Sequence, residues 1–191
     1  MAASYRPRVD RPTHGAAPGV SPAVGRPLPP PGDEFDRTDP GFRDDLAQSQ
    51  PAVAAVGRYF AAHGYPVVIP EPRVRPTPAE RAAYRDSGDG YVGRAFEVKW
   101  CAGFAFTSRE TFPYPTVLLG AVYEFDRARP LPWLVFSVSQ DRRYALAVNV
   151  ARTKARWEVR PVYAPRLERD EPCYFCPKEL TLLVELPPED A

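Results

Sequence analysis

The sequence predicts an α/β fold in which a central mixed β-sheet is flanked by helices. Three observations carry this prediction. An apolar repeat of helical period lies between Pro51 and His63, short β-prone runs punctuated by glycine and proline follow from Tyr65 onward, and 191 residues suit one ordinary core but not two. Residues 1–45 stand apart by composition. The chain holds 25 prolines, over twice average usage, and many fall here among Ala, Gly and Arg. Runs such as Arg26-Pro27-Leu28-Pro29-Pro30-Pro31-Gly32 favour polyproline II, and their few large apolar side chains cannot offset chain entropy. The expectation is a disordered Pro-rich tail over 1–45 and one folded domain over 46–191.

Within that domain the first helix is expected over Pro51 to His63, where Val53, Val56, Phe60 and His63 recur at helical spacing. Ser49 is its candidate N-cap, Pro51 suits a first turn, and Gly64 suits a C-terminal cap. Tyr65 to Pro70 reads as a short buried strand bounded by prolines. Thr77-Pro78-Ala79-Glu80 resembles a helix entry, placing a second short helix between Arg73 and Arg85. A hairpin follows around Gly93. The run from Thr116 to Asp126 is strand or helix, since short apolar runs are ambiguous by period. Trp133 to Ser139 and Tyr144 to Val150 form a hairpin across Gln140-Asp141-Arg142-Arg143. A brief helix over Ala151 to Trp157 and a strand over Glu158 to Tyr163 complete the order.

The hairpin segment carries the chemistry. Glu97 and Lys99 are separated by one apolar residue in a β-prone run, so on a strand both project from one face while Val98 enters a core. Asp89 precedes the Gly93-Arg94 turn, and a hairpin brings it diagonally alongside Glu97. Two carboxylates and an amine converge. Mg2+ binds through one or two carboxylates plus waters and phosphate oxygens, and a nearby ammonium can position the attacking water.

Asp89, Glu97 and Lys99 in this order resemble the PD-(D/E)xK nuclease superfamily, in which an acid opens one strand and an acid, any residue and a lysine follow across a turn. The motif resemblance spans Asp89 to Lys99, and the element order extends it from Pro51 to Val150. It implies a restriction-endonuclease-like core and Mg2+-dependent phosphodiester hydrolysis, with Mn2+ as a substitute. Asp89 and Glu97 take the places of the metal ligands, and Lys99 that of the lysine. Gly88 stands where a proline is usual, and the first candidate helix lacks the additional acid that members commonly carry. Asp86 is a reserve ligand should the hairpin register differ.

Around this core, Arg109, Gln140, Arg142, Arg143, Lys154 and Arg156 are candidate nucleic-acid contacts, through phosphates or a held water. The formal charge of +1 is unlike the strongly basic footprint of most nucleic-acid binders, and a solvated face explains the same charges. Tyr91, Trp100, Phe104 and Phe106 are aromatics for stacking or for the core. Cys173 and Cys176 have the spacing of half a zinc site, with only Cys101, His14 and His63 to complete it. Packed thiols are the competing explanation. Scarce histidine disfavours triad hydrolases, and no phosphate-loop signature supports nucleotide hydrolysis.

The reading is a metal-dependent nuclease acting on nucleic acid, with DNA expected over RNA, of bacterial or phage type. Its alternative is a catalytically incomplete nuclease-fold module that binds nucleic acid or protein. No apolar stretch approaches bilayer length and no secretory leader opens the chain, so no membrane partner is expected. Three cysteines fit a reducing, cytoplasmic compartment.

Overall fold

The computed structural model describes residues 40–72, 89–127, 131–164 and 168–189. The expected tail over 1–39, the second helix over 73–85 and the reserve ligand Asp86 lie outside the described residues.

Helix α1 (Pro40–Ala62) begins inside the stretch that composition assigns to the tail and carries Pro51 in its interior. An interior proline lacks the N–H for its own turn and crowds the carbonyl four residues back, at a cost of about 3 kcal/mol. Burial outweighs that cost, because Ala52, Val53, Ala55, Val56 and Phe60 are all covered by the sheet. Ser49 is therefore not a cap; its Oγ is inside the helix and donates to the Leu46 carbonyl at 2.8 Å. The other end follows expectation. Gly64 sits at φ +78°, Gly64 N–H donates to Ala61 O and Tyr65 N–H to Phe60 O, and the Tyr65 and Phe60 rings meet edge to face. His63 is exposed, with Nδ1 donating to the Tyr59 carbonyl in the last turn.

Tyr65 to Pro70 does not form the expected buried strand. Only Val68 bridges, exchanging both backbone hydrogen bonds with Tyr91, and Tyr65, Val68 and Ile69 remain exposed. Pro66 and Pro70 lack ladder donors, so pairing cannot spread in either direction.

The central sheet has five strands in the order β1-β2-β4-β5-β8: β1 (Gly90–Tyr91), β2 (Ala95–Trp100), β4 (Leu134–Val138), β5 (Tyr144–Asn149) and β8 (Leu182–Glu185). It is mixed. β2 and β4 run parallel and the other pairs antiparallel. The crossover from β2 to β4 contains β3 (Thr116–Ala121) and helix α2 (Val122–Arg127), which resolves the strand-or-helix ambiguity as a strand followed by a helix. β3 pairs with β7 (Arg169–Pro177), and β7 with β6 (Glu158–Ala164), in a second, antiparallel sheet. Helix α3 (Val150–Thr153) and a 3-10 turn at Lys154–Arg156 link β5 to β6, close to expectation.

Among the described residues the long helix α1 covers one face of the central sheet, and the short helix α2 with the second sheet covers the other. On the first face α1 packs on Phe96, Val98, Phe136 and Val138. On the other, Val135, Leu146 and Val148 pack against Val117, Leu119, Phe125 and Cys176 of β3, α2 and β7. A second sheet stands where flanking helices were expected, because β3 alternates buried and half-buried residues and so offers one apolar face. No helix among the described residues is long and apolar enough to cross a membrane.

Candidate functional site

The Gly93 turn builds the hairpin from which the site projects. Gly93 adopts φ +78°, Val92 N–H donates to Arg94 O, and Gly90 and Tyr91 pair with Phe96 and Ala95. Gly90 is required there, since a methyl group at its position would enter the Phe96 ring, within 2.7 Å of Cε1 and 2.9 Å of Cε2. Asp89 N–H continues the ladder to Phe96 O at 3.0 Å, which brings Asp89 opposite Glu97.

The strand period then separates chemistry from core. Phe96 and Val98 face α1, while Glu97 and Lys99 leave the opposite face, in register with Val135 and Ser137 of β4. Lys99 Nζ donates to Glu97 Oε1 at 3.0 Å, and each side chain is 14% exposed. Asp89 is buried and its Oδ2 accepts the Val98 N–H at 2.6 Å, replacing the backbone acceptor that the short strand β1 does not supply. The three residues predicted from the sequence meet at one hairpin.

Their electrostatics are those of crowded carboxylates around one cation. Burial, and then the neighbouring charge of Glu97, push the Asp89 carboxyl up from 3.8 to about 6, against the opposing pull of the Val98 N–H. For Lys99, burial disfavours the ammonium, but Glu97, Glu124 and Asp89 together outweigh it and hold the group above the usual lysine range.

Glu124, on α2, is a member of this cluster that the sequence reading did not single out. It is brought in by a β-bulge between Leu118 and Gly120, where Gly120 adopts φ +139°. A Cβ at Gly120 would lie 3.6 Å from Glu124 Oε2 and 3.8 Å from Lys99 Cε. Beyond it, Glu171 is raised by burial and by Glu124, against Arg169 and a hydrogen bond from Tyr123. A glycine before an acid-bearing helix was the available signal, but it acquires meaning only once β3 is stacked on the central sheet.

The candidate nucleic-acid contacts are not gathered on one surface. Gln140, Arg142 and Arg143 lie in the β4–β5 turn, at the end where β2 and β4 finish. Trp100 Nε1 donates to the Gln140 backbone carbonyl at 3.3 Å, Arg142 holds φ 60° and lies 3.8 Å from Glu189, and Arg143 N–H donates to Asp141. Lys154 and Arg156 follow β5 at the other end, where Lys154 is 3.6 Å from Asp126 and lies over the Tyr174 ring, and Arg156 is exposed. Arg109 donates to Glu179 O at 3.4 Å. Tyr91 is half-buried, while Phe104 and Phe106 pack with Phe112 and Tyr114 as core.

Cys173 and Cys176 are three residues apart on β7, so their side chains leave opposite faces and cannot converge on one ion. All three thiols are free. Burial pushes Cys101 and Cys173 up to about 12, away from the thiolate a zinc site needs. Among the described residues no group of three or more His, Cys, Asp and Glu is assembled to hold a metal. Comparison with models of protein families, with curated proteins and with solved structures finds no significant match.

Proposed function

We propose that this protein is a Mg2+-dependent nuclease of the PD-(D/E)xK type, hydrolysing phosphodiester bonds in DNA. The observation that carries the reading is the convergence at one hairpin of Asp89, anchored to β2 through the Val98 N–H, with Glu97 and Lys99 in contact on one face. The donor set fits the ion. Asp89 and Glu97 are hard oxygen ligands, and Mg2+ is held by one or two carboxylates with waters and substrate phosphate completing its shell. Asp89 is also raised by its acidic neighbour, a repulsion that a bound cation relieves. When bound, the ion supplies charge against the scissile phosphate and a lowered pKa for a coordinated water.

The chain's own residues do the rest. Asp89 and Glu97 would hold the ion, the hairpin fixing one acid relative to the other. Lys99, kept as an ammonium by its acidic surroundings, donates hydrogen bonds and orients a water or a phosphate oxygen. Gln140 and Arg142 stand at the end of the sheet where β2 terminates and would contact a nucleic-acid strand there.

The test is cleavage of plasmid, branched and single-stranded DNA with Mg2+ or Mn2+. Activity must vanish with a chelator and in Asp89→Ala and Lys99→Ala; cleavage that survives either substitution ends the proposal. One observation favours a second reading, a catalytically incomplete binding module. Lys99 is already paired to Glu97 and both are largely covered. That reading expects no metal-dependent cleavage and retains DNA or protein binding in the same variants.

A further inference from the structure

Any cation that takes Glu97 as a ligand competes with Lys99 for the same carboxylate, since Nζ and Oε1 are 3.0 Å apart. An ammonium displaced in a largely covered site needs another acceptor. Glu124 is in place to be that acceptor. Gly120, at φ +139° beside the bulge in β3, has no side chain, and both the Lys99 stem and the Glu124 carboxylate lie within 4 Å of where its Cβ would be.

We propose that Glu124 is the positioning residue of Lys99: when a divalent cation binds Glu97, the ammonium passes to Glu124 and is held there, beside the phosphate but off the metal ligand. The proposal rests on the metal-dependent reading above. Four features support it. The Glu124 carboxylate and the Lys99 stem flank one point, 3.6 Å and 3.8 Å from the Cβ position of Gly120, and the two groups are charge-coupled in the cation-free protein. Glu124 stands on a different element from both ligands, so engaging it leaves the Asp89–Glu97 hairpin undisturbed. The six-residue helix α2 that carries Glu124 is anchored by burial of Phe125 against Trp157 and Tyr174. Glu171 is charge-coupled to Glu124 as well, and its like charge raises the cost of a Glu124 carboxylate with no cation beside it.

The experiment is a double-mutant cycle of Glu124→Gln and Lys99→Met, read in two ways; Lys99→Gln replaces Lys99→Met should the latter not fold. In metal-free protein, urea midpoints should be non-additive, the double variant losing less than the two single variants together. In calorimetric titration with Mn2+, Glu124→Gln should weaken binding about tenfold when Lys99 is present and leave it unchanged in the Lys99→Met background. Additive midpoints overturn the pairing. Equal weakening of Mn2+ in both backgrounds overturns the transfer and makes Glu124 a ligand, while the metal reading survives. Failure of the wild-type protein to bind Mn2+ at all overturns the metal reading and the transfer with it, whatever the metal-free cycle shows.

Discussion

Replacing Asp89 by asparagine should stabilise the protein at neutral pH and do little at pH 4. The amide keeps the shape and an oxygen able to accept the Val98 N–H, but removes the charge. In the folded protein the carboxyl titrates at about 6, raised from 3.8 by burial and by Glu97. At about 1.4 kcal/mol per pH unit, that difference destabilises the charged form by about 3 kcal/mol. The sign follows from proton binding. Between about pH 4 and 6 the folded state holds more protons than the unfolded one, so the Asp89 contribution to stability falls as pH rises and levels off above about 7. Urea denaturation of wild type and variant in chelator, from pH 4 to pH 8, follows Asp89 with the groups charge-coupled to it, because titrations elsewhere cancel in the difference. The variant should gain about 0.5 kcal/mol at pH 4 and about 3 kcal/mol at pH 8. A difference that is flat with pH, or that favours the wild type increasingly as pH rises, refutes the picture of a buried carboxyl crowded by a second one.

Other consequences follow from the same geometry. Lys99→Met should abolish cleavage and destabilise by about 3 kcal/mol, because it leaves covered carboxylates unpaired; single-turnover assays and urea midpoints read the two effects. Gly90→Ala forces the Phe96 ring out of the core and should cost about 3 kcal/mol in urea denaturation, with loss of the site that the hairpin carries. Ser139→Ala strands the buried Phe106 N–H, now bonded to Ser139 Oγ at 3.0 Å, and should cost about 2 kcal/mol with faster hydrogen exchange across 101–115. Gly120→Ala, at φ +139°, should cost about 1–3 kcal/mol and reduce any Lys99–Glu124 coupling measured in the cycle.

What the sequence made legible was local. The Asp89–Lys99 hairpin is announced by a glycine turn and a period of two, the β4–β5 hairpin by its polar turn, and the end of α1 by Gly64 at positive φ. Each of these is decided within about ten residues of chain. The start of α1 was not legible, because Pro51 is a helix breaker by local rules and is overruled by burial against β2 and β4. Val68 was misread as part of a strand for the converse reason: its neighbours are apolar, but flanking prolines stop the ladder. The second sheet depends on β3 meeting β7 more than fifty residues later, and no periodicity reports such a pairing. Glu124 entered the site by the same route, through a bulge and a crossover that only tertiary packing defines. The candidate nucleic-acid contacts show the limit from the other side: Gln140 and Lys154 are near in sequence yet lie at opposite ends of the sheet, because β5 runs between them.

The central claim is that Asp89 and Glu97 together hold a divalent cation. Calorimetric titration of the full chain with Mn2+ at neutral pH tests it without reference to any substrate. The account predicts a single saturable site whose heat is lost in Glu97→Gln. Absence of saturable heat in the wild type, or a site that Glu97→Gln leaves intact, contradicts it.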